Sequence, residues 1–475
     1  MKARLLFPRL ALPLALLALA GCALGPDYRR PAVTAPAFKE SGDWQPAAPA
    51  AEQPRGKWWE AFGDPVLNDL QDKLEANSNT LLAAQAQYRQ VLDAVTVAYS
   101  ALYPAVNATG SATRDRSAAK NATPAQIQNS FGAGLAASWE LDLWGTVRRG
   151  LEAGRATAAA SAADLESVRL SLHATLAQTY FSLRVADTQQ RLYDRTVAEY
   201  ARSLQMTHNR YAAGVDTRAD VATAEAQLKT AQAQAIDLSL TRAQLEHAIA
   251  VLLGQPPAGF SLAPADLSVA PPAVPALIPS QQLERRPDIA AAERRLAAAS
   301  AGIGIAQGGY FPVISLTGSA GYSGSKLAGL FSTPNEIWSV GGSALAPLFN
   351  AGKTRAQVAA AHAAYEASLA TYRQTVLTAF QEVEDNLAAT NLLAREAAVQ
   401  DEAVAAARQS TAITLNQYKA GAISYLEVVT AQSTQLTAER TAVQLLGRRL
   451  NAGVTLLKAA GGDWHDAAGV APAAK

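Results

Sequence analysis

The residues of this chain that carry reactive chemistry are few and scattered. Five histidines (His173, His208, His247, His362 and His465) are spread so widely that no two share metal-ligand spacing. No cysteine–histidine pairing and no glycine-rich phosphate loop is present, so the chain reads as a non-enzyme that needs no metal and no cofactor. Met206 is the only methionine beyond residue 1, which argues against a methionine-lined path for soft metals. The one cysteine, Cys22, points to chemistry of another kind. Lys2 and Arg4 precede an apolar run from Leu10 to Leu19, too short to span a bilayer, and small residues follow up to the thiol. A lone thiol in an exported chain has no internal disulfide partner, and lipidation accounts for it.

The stretch Leu19-Ala20-Gly21-Cys22 resembles the bacterial lipoprotein lipobox. That resemblance implies removal of residues 1–21 as a signal peptide and lipid on Cys22. Because Ala23 rather than an aspartate follows, it also implies the outer membrane. Removal takes Lys2, Arg4 and Arg9 from 41 basic residues, leaving 38 against 40 acidic ones. This near-neutral balance gives no reason to expect nucleic acid as a partner. No apolar helix of spanning length follows Cys22, so any membrane crossing must use strands.

The elements that would position such a chain are written twice. Tyr103-Pro104 recurs as Phe311-Pro312, each pair closing an alanine-rich stretch and opening an alternating segment that reaches Gly110 or Gly318. Leu143-Trp144-Gly145 with Arg148 is answered by Leu348-Phe349 and Gly352 with Arg355, and Tyr211-Ala-Ala-Gly214 by Tyr418-Lys-Ala-Gly421. A duplicated unit points to pseudo-symmetric architecture. Between Arg155 and Ala213, and again between Lys353 and Ala420, there is neither glycine nor proline. The second run predicts a helix on the order of 100 Å long, which needs lateral partners along its length. Each run ends at a glycine suited to a tight reversal, and second helices follow over about 217–253 and 424–458. Two long helical hairpins are therefore expected, with tips near 212–217 and 419–424.

Before the first hairpin, residues 64–102 carry one helical pattern that Pro104 ends. Residues 105–116 and 131–143 read as strands, the latter with Phe131, Ala133, Leu135, Ala137 and Trp139 on one face. Phe131 and Trp139, about 26 Å apart at strand rise, would suit the aromatic girdles of an outer-membrane barrel, with Trp338 in the second repeat. Strands over 313–323 and 336–348 repeat the pair. An ordinary half-buried sheet would alternate in the same way. If the strands span, four cannot close a barrel, so other copies must complete it: eight strands in a dimer, twelve in a trimer. The organisation read from the chain is a signal peptide (1–21), an anchor and extended tether (22–63), a first repeat (64–254), a linker (255–280), a second repeat (281–460) and a tail (461–475).

Taken together, the lipobox, Gly25-Pro26-Asp27-Tyr28 with Pro31, and the paired long-helix repeats resemble the TolC-like outer-membrane efflux factors, in the lipoprotein (NodT-type) branch. Further matching pieces are Trp58-Trp59 with Phe62 and Asp64-Pro65, Trp139 through Gly145, and Arg285-Arg286-Pro287-Asp288-Ile289. The resemblance implies a mainly α fold with a transmembrane β-barrel: a homotrimer whose twelve-stranded barrel continues into a twelve-helix periplasmic tube. It implies passive export, the lipoprotein branch leaning toward small molecules such as drugs and toxic compounds. A periplasmic adaptor and an inner-membrane efflux pump would be the partners, alongside outer-membrane lipid. It also implies a gate where the hairpins converge. Leu426 matches a leucine that family members place at the axis, and Thr430 stands where many place an aspartate, so an apolar constriction is expected. Arg210, Asp216, Arg218 and Asp220 gather at the first tip, either locking neighbouring hairpins or capping helix ends. Gly214 and Val215, with Gly421 and Ala422, are the candidates for adaptor docking, since small residues leave shallow grooves. A pore-less coiled-coil lipoprotein, a periplasmic adaptor and a protein-secretion duct are the alternatives. The strand pairs count against the first, and two hairpins instead of one against the second.

Overall fold

The computed structural model describes residues 23–31, 39, 57–118, 125–267, 269 and 286–462. Cys22 lies outside the described residues, as do the signal peptide and most of the tether, linker and tail. The chain divides into a unit of 1–32, 87–162 and 291–373, and a unit of 33–86, 163–290 and 374–475.

The first unit is built on a four-stranded antiparallel sheet in the order β1 (Ala105–Arg116), β2 (Ile127–Leu141), β3 (Val313–Gly324) and β4 (Glu336–Leu345). The seam between repeats is the β2–β3 pair, running from Phe131 opposite Gly324 to Leu141 opposite Ile314. Gly134 sits opposite Gly321 in this seam, and a Cβ on Gly321 would lie 2.6 Å from Gly134 Cα, so a side chain there would push the strands apart. β1 and β4 form the two edges, and every residue of both is exposed. The strands are displaced slightly from expectation. β2 begins four residues before Phe131 and stops at Leu141, because Asp142 turns to cap the following helix. Its carboxylate accepts from Val147 N and Arg148 N, each at 2.9 Å, and the Arg148 guanidinium binds it in return. β4 ends at Leu345, two residues before Pro347, which has no amide to donate to a ladder.

The remaining elements are helices: α1 (Pro65–Asn77), α2 (Asn79–Ser100), α3 (Thr146–Ala212), α4 (Arg218–Leu252), α5 (Pro287–Gly308), α6 (Lys353–Lys419) and α7 (Tyr425–Ala459). The long helices α3 and α6 have 67 residues each, and α4 and α7 have 35 each. α3 starts earlier than the glycine-free run, taking in Gly150 and Gly154; at Gly154 a Cβ would meet only Val95 and Ala98 at 3.9 Å. The single pattern over 64–102 is in fact two helices. Ser78 is buried and extended between them, and the Gly254 backbone sits so close to the Asn77 carbonyl that a Cβ would be 2.4 Å from its oxygen. Asp64 starts α1 by accepting from Val66 N and Leu67 N, a cap worth about 1 kcal/mol.

The core of the helical unit joins Leu67, Leu70 and Leu74 of α1 to Leu176, Tyr180 and Phe181 of α3 and to Leu450 and Val454 of α7. Trp58, Trp59 and Phe62 belong to this core as a short 3-10 turn, so the end of the segment read as an extended tether is instead packed. Their aromatic surface has no other place to escape water. Arg286, from the Arg-Arg-Pro-Asp motif, is buried and ties the second repeat together. It binds Asp288, Glu382 of α6 at 2.7 Å and the Ala459 carbonyl at the end of α7.

Candidate functional site

The two hairpin tips repeat one backbone solution. Val215 N bonds to Arg210 O and Gly214 N to Tyr211 O; Ala422 N bonds to Gln417 O and Gly421 N to Tyr418 O. The glycines take φ of +74° and +76°, which only glycine adopts without strain, and space around both is open. In the side chains the symmetry breaks. Tyr211 is exposed at 45 %, whereas its counterpart Tyr418 is exposed at 1 %.

Tyr418 is the centre of the site. Its hydroxyl donates to Asp216 of the first tip and shares a 3.2 Å hydrogen bond with Thr207 of α3. Arg210 donates through Nε to both Asp216 oxygens, at 3.1 and 3.2 Å, and its guanidinium lies 4.6 Å over the Tyr418 ring. Tyr425, the first residue of α7, packs against Tyr418 with ring centroids 5.5 Å apart. Burial, and then the hydrogen bond to Asp216, push the Tyr418 phenol up to about 12, so it remains a donor at any physiological pH. Burial also raises Tyr425, with the neighbouring Tyr418 and Tyr200 adding to the shift. Ala224, Val428 and Leu204 complete an apolar cluster around the pair. The tip of repeat one is thereby fastened to the tip of repeat two by a buried, charge-assisted contact.

Further along, Glu439 of α7 takes Arg195 of α3 at 2.7 Å and Arg408 of α6 at 2.5 Å. Burial works to raise its pKa, but the hydrogen bonds from Arg408 and Gln435 and the charges of Arg408 and Arg195 outweigh it, and the net shift is downward.

The expected site residues fall into separate groups. Arg210 and Asp216 are at the tip contact, whereas Asp220 forms a capping box with Thr217 at the start of α4 and Arg218 is exposed. Leu426 is 64 % exposed, and Thr430 shares its face, donating through Oγ1 to the Leu426 carbonyl at 2.9 Å. Gly214, Val215, Gly421 and Ala422 are at the turns as expected, with Val215 61 % exposed. In the sheet unit, Phe131 and Trp139 are half-buried and Trp338 is 75 % exposed; the Trp139 indole donates to the Leu102 carbonyl at 3.1 Å. Among the described residues no group of histidine, cysteine, aspartate and glutamate could hold a metal, and no helix is long and apolar enough to cross a membrane.

Sequence reasoning missed the role of Tyr418 and of Gly25-Pro26-Asp27-Tyr28. The latter is a clasp in the sheet unit. Leu24 N bonds to Trp144 O, and buried Arg149 reaches Leu24 O at 2.9 Å and Asp27 at 2.8 Å. Tyr28 donates to Glu293 of α5 at 2.6 Å. Gly25, at φ +90°, lies against Gly304 so closely that a Cβ would be 2.5 Å from its Cα. The signal for both was present as a repeated tyrosine and a compact motif, but nothing in one sequence distinguishes the buried tyrosine from the exposed one.

The family described as outer membrane efflux protein matches residues 70–255 and again 278–462. A pyoverdine export outer membrane protein, OpmQ of Pseudomonas aeruginosa, is 35 % identical over 421 residues, covering 86 % of this chain and 88 % of its own. The solvent efflux pump outer membrane protein SrpC of Pseudomonas putida is 34 % identical over 478 residues, covering 95 % and 97 %. Among solved structures, the outer-membrane channel OprN superposes with a TM-score of 0.86 at 31 % identity, over 93 % of this chain and 99 % of that one. The open state of the MtrE outer membrane channel of Neisseria gonorrhoeae superposes at 0.81 with 28 % identity, over 93 % and 98 %.

Proposed function

The chain belongs to the outer membrane efflux protein family, as a non-catalytic conduit, and on that premise we propose that it is the exit duct of a tripartite efflux system. Three copies complete the barrel, β1 of one pairing with β4 of the next, and an inner-membrane pump passes cargo through a periplasmic adaptor. The observation that carries this reading is the open sheet. Two fully exposed edge strands, with Val340 81 % and Trp338 75 % exposed on β4, belong to a chain in which, among the described residues, no helix is long and apolar enough to cross a membrane. In lipid, unpaired edge groups cost several kcal/mol each, so other copies must pair them. Relatives named for pyoverdine export and for solvent efflux support small molecules as the cargo class.

Opening takes place at the tips. The Asp216–Tyr418 contact holds the two hairpins of one protomer together in the closed state, and Leu426 with Thr430 below it forms the constriction. Gly214, Val215, Gly421 and Ala422 receive the adaptor. Lipid on Cys22 belongs to the same reading and rests on the lipobox-like Leu19-Ala20-Gly21-Cys22. Phe131, Trp139 and Trp338 are assigned to the aromatic girdles.

The function is tested by deleting the gene in its host and measuring accumulation of fluorescent efflux substrates. Accumulation that rises on deletion and returns to normal on complementation is expected. Unchanged accumulation, with no change in susceptibility to solvents or antibiotics, would contradict small-molecule efflux.

A further inference from the structure

The helical unit carries two stripes of exposed apolar side chains. Ile236 and Leu240 of α4 are 73 % and 57 % exposed, and Leu392 and Val399 of α6 are 59 % and 68 %. Spacings of four and seven residues put each pair on one side of its helix. Helices this long need lateral partners, and a stripe of large apolar side chains marks where a partner sits.

The chain already contains one example of the joint these faces would make. α6 repeats α3, and α7 repeats α4, 207 positions later at both ends. The long helix of repeat one, α3, packs antiparallel on the second helix of repeat two, α7. Four contacts fix that seam. Gln178 meets Thr455 at 3.0 Å, Arg195 meets Glu439 at 2.7 Å and Ser203 meets Gln432 at 3.1 Å. Val185 lies against Gly447, where a Cβ would be 2.5 Å from its Cγ2. The other long helix is α6 and the other second helix is α4, the two that bear the exposed stripes. Carried through the repeat, Val185 with Gly447 becomes Leu392 with Leu240, and Arg195 with Glu439 becomes Glu402 with Gln232. The same register sets Val399 beside Ile236, nearer the tips. It also sets Asp237 opposite Arg395, and Lys229 within a turn of Glu402. These four charged residues are exposed, and among the described residues none of them makes an ion pair.

We propose that α4 of one copy packs antiparallel on α6 of the next in the register of the α3–α7 seam. Leu240 on Leu392 and Ile236 on Val399 form the apolar contact, and Asp237 with Arg395 forms an ion pair at its flank. This joint rests on the reading that several copies of the chain assemble, and it assigns the residues that hold them together. Packing removes four large side chains from water. The charges select one register, because a slip of one turn parts Asp237 from Arg395 and Lys229 from Glu402. Two leucines in place of valine and glycine hold this joint wider than the seam within the chain.

The test is oxidative cross-linking of a Leu240→Cys/Leu392→Cys chain in its membranes with copper phenanthroline, read on non-reducing gels. Single-cysteine chains, in which Cys22 is the only other thiol, give the background. Covalent dimers and trimers are expected. None is expected for Leu240→Cys/Ala406→Cys, whose second cysteine lies on the same stripe of α6 but about 20 Å further along it. Charge reversal is the second readout. Asp237→Arg or Arg395→Asp alone should lower the temperature at which the oligomer dissociates, and the two together should restore it. All these positions are exposed, so the single chain loses no buried contact. Links from the Ala406 pair instead, or unchanged dissociation in both single reversals, would overturn the register. No link from either pair in a chain that still elutes as an oligomer would overturn this joint and leave assembly standing. A chain that elutes as a monomer would overturn assembly itself, and the joint with it.

Discussion

Tyr418→Phe isolates the tip contact with little else disturbed. The ring stays, so its packing on Tyr425 at 5.5 Å and the Arg210 guanidinium 4.6 Å above it are retained. Asp216 keeps both bonds from Arg210. Only the hydroxyl is lost, with its donation to Asp216 and its contact with Thr207. Because Tyr418 is 1 % exposed and the Asp216 side chain 8 %, solvent screens the bond weakly. A hydrogen bond to a charged group is worth about 1.5–3 kcal/mol. If the contact is broken on opening, the closed-to-open ratio falls roughly tenfold to a hundredfold per protomer. The assay is single-channel conductance in planar bilayers, read as open probability without adaptor. A closed-state leak that is unchanged, in a mutant whose thermal stability has dropped by the expected amount, would refute the latch and leave the bond as ordinary packing. The wild-type contact also has a defined pH response. With its pKa raised, Tyr418 contributes fully below the ordinary tyrosine value of about 10, and the contribution is lost as pH rises through about 12. The Tyr418 contribution to gating is therefore flat through neutral pH, and leak rises only in strong alkali.

Other perturbations separate the parts of the account. Leu426→Ala should raise closed-state leak without lowering stability, since the side chain is 64 % exposed in the single chain; unchanged leak in an assembled mutant would remove Leu426 from the constriction. Gly421→Leu keeps open space around the new side chain but places it at φ +76°, a strain of about 1–2 kcal/mol. Efflux should fall while the assembled species on blue-native gels stays the same, and undiminished efflux would count against docking there. Glu439→Gln removes the carboxylate that Arg195 and Arg408 share. Because that pKa is lowered, its stabilisation is present above the ordinary value of 4.5 and lost as pH falls through the shifted one. The melting-temperature gap between wild type and mutant should be widest near neutrality and close in acid; a gap independent of pH would show that charge is not the cause.

Much of the fold was legible because its signals are periodic or punctuated. Runs free of glycine and proline marked all of α6 and the part of α3 beyond Gly154, and Gly214 and Gly421 gave both reversals, since a left-handed backbone turn leaves glycine as its mark. The break at Ser78 was not legible. The local signal is weak, the cap-favouring Asn77-Ser78-Asn79 alone, and the Gly254 backbone that packs against the Asn77 carbonyl comes from the far end of the first hairpin. Trp58, Trp59 and Phe62 were absorbed into a tether because the preceding residues are rich in proline and alanine, although three large aromatics in five residues is itself a burial signal. At the tip, the charges Arg210 and Asp216 could be read from their crowding. Their partner could not, because Tyr418 lies 202 residues from Asp216 and looks the same as the exposed Tyr211.

The central claim is that several copies of this chain enclose a duct. Single-particle electron microscopy of the detergent-purified protein tests it most directly. A hollow three-fold cylinder is expected, longer than the roughly 100 Å of one 67-residue helix. Its wall should have four strands per protomer at one end. A compact monomer, or a solid rod with no lumen, would contradict it.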